Sequence, residues 1–328
     1  DGILLLGVVF LLVLGRRPWR VSFALALTVT ASYLALMWPW LMRSVALTGA
    51  PLPAAGVRTI WLRGYDDLYS FLDQPTLVAF LDWGVTNILW SRLAALVQNL
   101  GVFLGGAFHL APFAALGLWH LRSAPAFRPF FVYAALLYLV HSLLFAFPGP
   151  RGSMLHSSVA LLPWLALATL VGLDRAVAWV GTRLPHWNVP KAQQRFGLVA
   201  LASAVLLSLV FTLRHIDTWG QDYRHYVELA AWVRASTPPE ARLLVTNPPA
   251  FTYVSGRSSL ATPSDSVEAV LAAADRYGAT YLALESDHAR PLDALYDGRA
   301  TYARLEHLAD VGLTRIYAVR PPGEGEGP

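Results

Sequence analysis

The 328-residue sequence contains no cysteine, so it has neither a disulfide framework nor a thiolate metal site. It is also poor in charge, because charged residues make up 14% of the chain and apolar residues 55%. A soluble protein of this length needs more polar side chains to cover its surface. The composition therefore excludes an ordinary soluble globular protein and predicts a membrane protein.

Several short catalytic motifs are missing as well. The sequence has no HExxH, GxSxG or GxxxxGK[ST] motif, no glycine-rich phosphate fingerprint and no internal repeat. Its net charge of +4 divides into +8 over residues 1–213, with 14 Lys/Arg against 6 Asp/Glu, and −4 over residues 214–328, with 11 against 15. Because the basic excess lies in loops between apolar segments, we expect no nucleic-acid partner.

Long apolar runs dominate the first two thirds of the chain. A helix that crosses a bilayer needs roughly 20 apolar residues. About six such spans are predicted, at residues 3–15, 21–42, 93–119, 130–148, 155–180 and 196–213. The first run begins directly after Asp1, so we expect this span to be truncated and the chain to be the C-terminal part of a longer protein.

The predicted fold class is a polytopic α-helical membrane bundle followed by a small extracytoplasmic α/β domain. The bundle covers residues 1–213, the α/β domain residues 214–321, and a disordered tail residues 322–328. Together with the preceding Pro321 the tail has the sequence PPGEGEGP, and this composition is typical of a disordered segment without a hydrophobic core.

The charges of the loops predict the orientation of the bundle. The loops at 16–20, 120–129 and 181–195 are basic and contain no acid, which is typical of the cytoplasmic side. The long loop 43–92 and the turn 148–154 then lie on the outer side together with the C-terminal domain. We expect a location in the cytoplasmic (inner) membrane, with the lipid bilayer as a partner.

Helical and strand patterns alternate in the predicted α/β domain. Apolar residues recur at helical spacing at Tyr226, Leu229, Ala230 and Val233, and Pro238-Pro239 end this helix. Strands are predicted at 243–246, 281–285 and 314–319.

A second helix of this domain is predicted over residues 267–277. Asp265 and Glu268 have the spacing of a capping box at its start, and Gly278 follows its end as a C-cap. The loop Asn247-Pro248-Pro249 follows a predicted strand, where α/β domains place ligands. The alternative for this loop is a simple turn.

The outer turn PGPRGSMLHSS, residues 148–158, is the best candidate for phosphate binding. A helix that begins at Ser153 would present free N–H groups, and Arg151 would add a fork-shaped donor suited to phosphate. His156 and Ser153 would supply further donors. The alternative is an interfacial arginine that reaches towards lipid headgroups.

The outer loop carries two adjacent carboxylates in RGYDDLYSF, residues 63–71. Asp66 and Asp67 could act as a general base, and Tyr65, Tyr69 and Trp61 could stack on a sugar or acceptor. Two carboxylates also suit a divalent metal, but no second acidic cluster has metal-ligand spacing, so no metal site or cofactor is predicted. The alternative is a loop whose Asp side chains bond local backbone amides.

Three segments together resemble a known family. They are WLRGYDDLYSF, PGPRGSMLHSSVALLPWL and AAWVRASTPPEARLLVTNPPAFTYVSGRSSL. With the alternation of spans and basic loops, the chain resembles the C-terminal half of bacterial polytopic glycosyltransferases of the GT-C class. These are related to the protein mannosyltransferases and to the aminoarabinose transferase of lipid A.

The resemblance implies transfer of a sugar from a polyprenyl-phosphate-linked donor to an extracytoplasmic acceptor, which is a glycan, a lipid or a protein. It implies that the catalytic base lies upstream of residue 1, which leaves Asp66 and Asp67 as weak candidates. It matches Arg151 to the basic residues that hold the donor phosphate. The alternatives are a transporter or flippase for a lipid-linked substrate, or a membrane anchor that presents a binding domain.

Overall fold

The computed structural model describes residues 2–14, 18–51, 56 and 58–323. The chain forms two compact units. The first unit contains Asp1–Arg63 and Thr76–Leu206, and the second contains Gly64–Pro75 and Leu207–Pro328. The middle of the predicted outer loop therefore belongs to the C-terminal unit. Most of the predicted tail lies outside the described residues.

The first unit is built from helices. They are α1 (Gly2–Leu14), α2 (Trp19–Thr48), α3 (Leu77–Asp82), α4 (Val85–Gly105), α5 (Ala111–Leu121), α6 (Arg128–Leu139), α7 (Met154–Ser158), α8 (Leu162–Gly181) and the start of α9 (Val189–Ser236). Shorter helical turns lie at Thr59–Trp61, Phe108–Leu110, Pro125–Phe127, Val140–Leu144, Gly149–Ser153 and Val159–Leu161.

Five helical segments of the described residues are long and apolar enough to cross a membrane. They are Trp19–Leu47, Val85–Gly105, Pro125–Leu144, Gly149–Gly181 and Val189–Ser236. The expected number was six. The first predicted span corresponds to α1, whose 13 residues are too few for a crossing.

The predicted span 93–119 is wrong, because two helices occupy it. Helix α4 ends at Gly105, and the chain turns before α5 begins at Ala111. Phe108 in this turn has a φ of 48°, a left-handed value that few residues other than glycine adopt. His109, expected inside a helix, lies in the turn, with Nε2 2.8 Å from Ser203 Oγ.

Helices α5 and α8 pack at unusually close range. A Cβ atom added to Gly117 would overlap the backbone carbonyl of Ala168, and one added to Gly172 would overlap that of Phe113. Small residues permit such approach between apolar helices, where backbone contact replaces side-chain packing. The same two helices contribute to a buried cluster around Phe130, which is 1% exposed.

The second unit contains a five-stranded mixed sheet. Its strands are β1 (Leu243–Val245), β2 (Ser259–Ala261), β3 (Tyr281–Leu284), β4 (Leu305–Val311) and β5 (Thr314–Val319), in the order β2-β1-β3-β5-β4. Strand β1 pairs in parallel with β2 and β3, whereas β5 pairs antiparallel with β3 and β4. The three predicted strands are present. The prediction missed β2 and β4, whose side chains are largely half-buried or exposed.

Helices cover both faces of this sheet, which gives three layers. On one face the predicted stripe of α9, including Tyr226, Leu229 and Val233, packs with Phe251 of α10 (Pro248–Ser255). On the other face α11 (Val267–Tyr277) packs with the turn Arg290–Leu292 and with α12 (Asp293–Tyr296). The helix ends are as expected at Ser236 and at Gly278, which has a left-handed φ of 68°.

The predicted cap of α11 is wrong by one residue. The Ser266 hydroxyl, and not the Asp265 carboxylate, accepts the hydrogen bond from the backbone N–H of Ala269. Serine and aspartate cap helices about equally well. Asp265 is engaged elsewhere, by the segment Gly64–Pro75.

We expect Gly117→Ala to destabilise the first unit, because the new Cβ atom would meet backbone that no side-chain rotation can move. Without that contact, alanine in a helix is favoured over glycine by about 1 kcal/mol. Gly197→Ala in α9 is the matched control, since nothing lies within 4 Å of its Cβ position. Thermal unfolding in detergent should give a lower Tm for Gly117→Ala and an equal or higher Tm for Gly197→Ala. Equal melting of the two variants would contradict the close packing.

Candidate functional site

A cavity of about 1020 Å³ opens in the second unit at the carboxyl ends of its parallel strands. The chain leaves β1 towards one face of the sheet, through α10, and leaves β3 towards the other, through residues 290–296. Such a divergence of connections creates a crevice, which is where open α/β sheets bind ligands.

The walls of the cavity come from six places in the sequence that the fold brings together. They are Tyr69, then His225 and Tyr226 of α9, Thr246 to Pro249 after β1, Ala261 at the end of β2, Glu285 to Asp287 after β3, and Gly312 to Thr314 at the β4–β5 turn. The predicted loop Asn247-Pro248-Pro249 is part of this wall, and its proline pair begins α10.

Glu285 is the buried acid of the cavity wall. It directly follows β3 and is 6% exposed. Its Oε1 accepts the backbone N–H of Thr246 at 3.0 Å, and its Oε2 accepts the Tyr226 hydroxyl at 3.0 Å. His225 Nε2 lies 3.5 Å from Oε2 and 3.2 Å from the Thr314 hydroxyl. One carboxylate thus connects the ends of β1 and β3 to α9.

Burial raises the pKa of the Glu285 carboxyl above its ordinary value of 4.5, and the charge of Asp287 acts in the same direction. The hydrogen bonds from Thr246 and Tyr226 and the nearby His225 oppose this shift without cancelling it. Glu285 therefore keeps a proton at a higher pH than an exposed glutamate does. Buried carboxyl groups with a raised pKa are often found at functional sites.

The segment Gly64–Pro75 is fastened to the second unit by Asp265. Its carboxylate accepts the backbone N–H groups of Phe71, Leu72 and Asp73 at 2.7 to 3.0 Å. The neighbouring Ser264 hydroxyl donates to the Asp66 carbonyl at 2.5 Å. Hydrogen bonds to a charged acceptor are the stronger kind, so this small group of contacts fixes the segment.

The fastened segment brings Tyr69 to the cavity. Its ring is 43% exposed and lies edge-on to the ring of Tyr65, with centroids 6.5 Å apart. Burial and the neighbouring Tyr65 raise the pKa of Tyr69, so its phenol is neutral. Tyr69 is the predicted sugar contact that lines the cavity, and Tyr65 packs behind it. Trp61 belongs to the first unit, where its ring centroid lies 5.7 Å from that of Phe80.

The two predicted carboxylates of this segment, Asp66 and Asp67, are absent from the cavity wall. Both lie in a short helical turn, Asp66–Tyr69. Asp67 Oδ2 accepts the backbone N–H of Gly64 at 3.3 Å, which is the local backbone role given as the alternative. Asp66 is exposed and contributes its carbonyl to the contact with Ser264.

The predicted phosphate site lies in the first unit. Arg151 and His156 are both exposed, and a Cβ added to the intervening Gly152 would lie 3.7 Å from His156 Nε2. The Ser153 hydroxyl lies 3.0 Å from His141 Nδ1, which secures the turn to the preceding helical segment. Gly152 has a φ of 140°, so glycine is needed at this position.

The expectation that Ser153 caps a free helix start is wrong. A helical turn already covers Gly149–Ser153, and the Ser153 backbone N–H donates to the Pro148 carbonyl at 3.2 Å. Its hydroxyl makes no capping bond. The Ser153 N–H is therefore already used within the turn and is not available to an anion.

Glu285, His225 and Thr246 were not predicted as cavity residues. Glu285 was assigned to the end of a strand, and Tyr226 only to an apolar stripe. The available signal was an acid at the end of the apolar run YLAL, at a strand end where α/β domains place ligands. Among the described residues, no three His, Asp or Glu side chains are grouped as a metal site would require.

No protein-family model matches the chain, and comparisons with curated proteins and with solved structures find no match.

We expect Glu285→Gln to change how stability depends on pH. Above pH 4.5 an unfolded chain releases this proton, while the folded chain keeps it until the pH passes the raised pKa. The free energy of unfolding therefore falls as pH rises through this window, and glutamine removes that loss. The Tm of Glu285→Gln minus that of the unmodified protein should rise from pH 4.5 upward and then level off. Glu240→Gln, at an exposed position, should show no such trend. A Tm difference between Glu285→Gln and the unmodified protein that does not change with pH would contradict the raised pKa of Glu285.

We expect Asp265→Ala to release the segment Gly64–Pro75, because three backbone N–H groups lose their acceptor. A hydrogen bond to a charged group contributes about 1.5 to 3 kcal/mol, so amide exchange at residues 71–73 should accelerate more than tenfold. In Asp265→Asn, which keeps one acceptor oxygen, amide exchange at these residues should be faster than in the unmodified protein and slower than in Asp265→Ala. Asp297→Ala removes an exposed carboxylate and is the control. Hydrogen exchange read by mass spectrometry measures the effect, and unchanged exchange in Asp265→Ala would refute it.

Proposed function

We propose that this chain belongs to a membrane glycosyltransferase of the GT-C class. It would transfer a sugar from a polyprenyl-phosphate-linked donor to an extracytoplasmic acceptor, in the cytoplasmic membrane. The loop 43–92 and the C-terminal unit would face the outside. The first support is the set of five segments long and apolar enough to cross a bilayer, with basic loops on alternate connections.

The observation that carries the proposal is the turn Gly149–Ser153. It places the exposed Arg151 in the first turn of the apolar segment Gly149–Gly181, which follows the apolar segment Pro125–Leu144. A permanently charged guanidinium at such a position suits the phosphate of a lipid whose chain lies in the bilayer. The contact between Ser153 and His141 and the glycine at 152 hold the turn in one conformation.

The transfer reaction requires three functions from the protein. It must hold the polyprenyl phosphate as it leaves, position the acceptor hydroxyl, and remove one proton from that hydroxyl. Arg151, with His156 beside it, would perform the first task. For the last task Asp66 and Asp67 are weak candidates, because the Asp67 carboxylate accepts the backbone N–H of Gly64 and neither residue lines the cavity.

A transporter or flippase for a lipid-linked substrate is the second candidate, and one observation favours it. The interruption between α4 and α5 breaks an apolar run that was expected to be continuous. Transporters often bind substrates at such broken helices. His109 lies in the break, bonded to Ser203. Transfer of label from a polyprenyl-phosphate sugar to an acceptor distinguishes the two functions, because a flippase would move the lipid without cleaving it.

We expect Arg151→Ala to reduce sugar transfer by the full-length protein in membranes by at least tenfold, since the leaving phosphate loses its charged partner; one such contact contributes about 1.5 to 3 kcal/mol. Arg151→Lys, which keeps the charge and loses the fork, should retain part of the activity. Arg183→Ala is the control, because Arg183 stacks on Trp179 in a loop predicted to be cytoplasmic. Transfer by Arg151→Ala at the unmodified rate, at equal expression, would refute the assignment.

A further inference from the structure

The cavity of the second unit selects against anionic ligands. No lysine or arginine is among the described residues that line it, whereas Glu285 and Asp287 are both in its wall. Its one basic group, His225, already lies 3.5 Å from the Glu285 carboxylate. A phosphate or carboxylate ligand would meet like charge here, in a partly enclosed space where such repulsion is poorly screened.

Two carboxyl groups in the cavity wall, those of Glu285 and Asp287, can accept hydrogen bonds from a ligand. Each oxygen of Glu285 already accepts one hydrogen bond, which leaves a further lone pair on each for a ligand. Asp287 and Asn247 are exposed in the wall and add carboxylate and amide oxygens. A ligand that donates several hydroxyl groups satisfies these acceptors.

Part of the remaining wall is aromatic or apolar. Tyr69 presents a ring that is 43% exposed, Pro248-Pro249 lies beside Asn247, and Leu313 is 70% exposed at the β4–β5 turn. Rings and prolines pack well against C–H groups and hold their positions at little cost in side-chain freedom. A sugar ring combines both properties, because its edge carries hydroxyl groups and its face carries C–H groups.

The size of the cavity favours more than one sugar residue. Pockets that bind drug-sized molecules measure about 300 to 1,000 Å³, and this cavity reaches about 1020 Å³. Tyr69 stands on a segment fixed by the Asp265 carboxylate, so the aromatic wall is in place before a ligand arrives.

We propose that this cavity is a binding site for an uncharged saccharide, with the ligand ring against Tyr69 and its hydroxyl groups donating to Glu285 and Asp287. Binding itself is independent of any reaction. The further statement that this saccharide is the acceptor of the transfer reaction rests on the proposed function.

The test measures direct binding to the full-length protein in nanodiscs. Saturation-transfer NMR would use three neutral trisaccharides, built from glucose, mannose and arabinose, and trigalacturonate as the anionic counterpart. We expect at least one neutral trisaccharide to bind and trigalacturonate to bind at least tenfold more weakly. Tyr69→Ala should weaken the neutral ligand about tenfold, the effect of losing one aromatic stacking contact.

One control and one further variant make the result specific to the cavity. Tyr253→Ala removes a tyrosine that is 85% exposed and outside the cavity wall, and it should bind like the unmodified protein. Glu285→Gln keeps the shape of the wall and should also weaken binding. Binding by none of the neutral trisaccharides, equal or tighter binding of trigalacturonate, or an unchanged affinity in Tyr69→Ala would each overturn the inference.

The same protein separates this inference from the proposed transferase. If Arg151→Ala transfers sugar normally while Tyr69→Ala loses trisaccharide binding, the transferase assignment fails and the saccharide site stands. If Arg151→Ala loses transfer while Tyr69→Ala binds the trisaccharide normally, the saccharide site fails and the transferase assignment stands.

Discussion

The buried carboxyl of Glu285 organises the part of the molecule with the clearest capacity to bind a ligand. It joins the end of β1, through Thr246, to Tyr226 on α9, at the point where the connections of the sheet diverge. Because it is 6% exposed, it must be hydrogen-bonded, neutral or compensated, and the surrounding groups supply the hydrogen bonds. Thr246 and Tyr226, the groups that donate hydrogen bonds to Glu285, also line the cavity.

The segment Gly64–Pro75 connects this site to the rest of the sequence. It lies between stretches of the first unit in the chain, yet its contacts are with the second. Asp265 holds its backbone, and Tyr69 then completes the cavity. The segment in which Asp66 and Asp67 were weak catalytic candidates contributes the ring of Tyr69 to the cavity, while the Asp67 carboxylate accepts a local backbone N–H.

The parts of the fold set by local pattern were predictable. Apolar length identified most helices of the first unit, and the 3.6-residue stripe of α9 and the left-handed Gly278 were confirmed. The break between α4 and α5 was missed, because both sides are apolar and only the backbone changes. Asp265 was misassigned because Ser266 beside it caps equally well. Its true partners, Leu72 and Asp73, lie 193 and 192 residues away in sequence. Glu285 was hidden for the same reason, since its partner Tyr226 is 59 residues away.

We propose that the second unit binds its ligand in the cavity around Glu285. The most direct measurement is a cryo-electron microscopy structure of the full-length protein in nanodiscs, soaked with the neutral trisaccharide that binds best. We expect density for a sugar ring against Tyr69, with hydroxyl groups within hydrogen-bond distance of Glu285 and Asp287. An empty cavity in a protein that carries the trisaccharide elsewhere would contradict it.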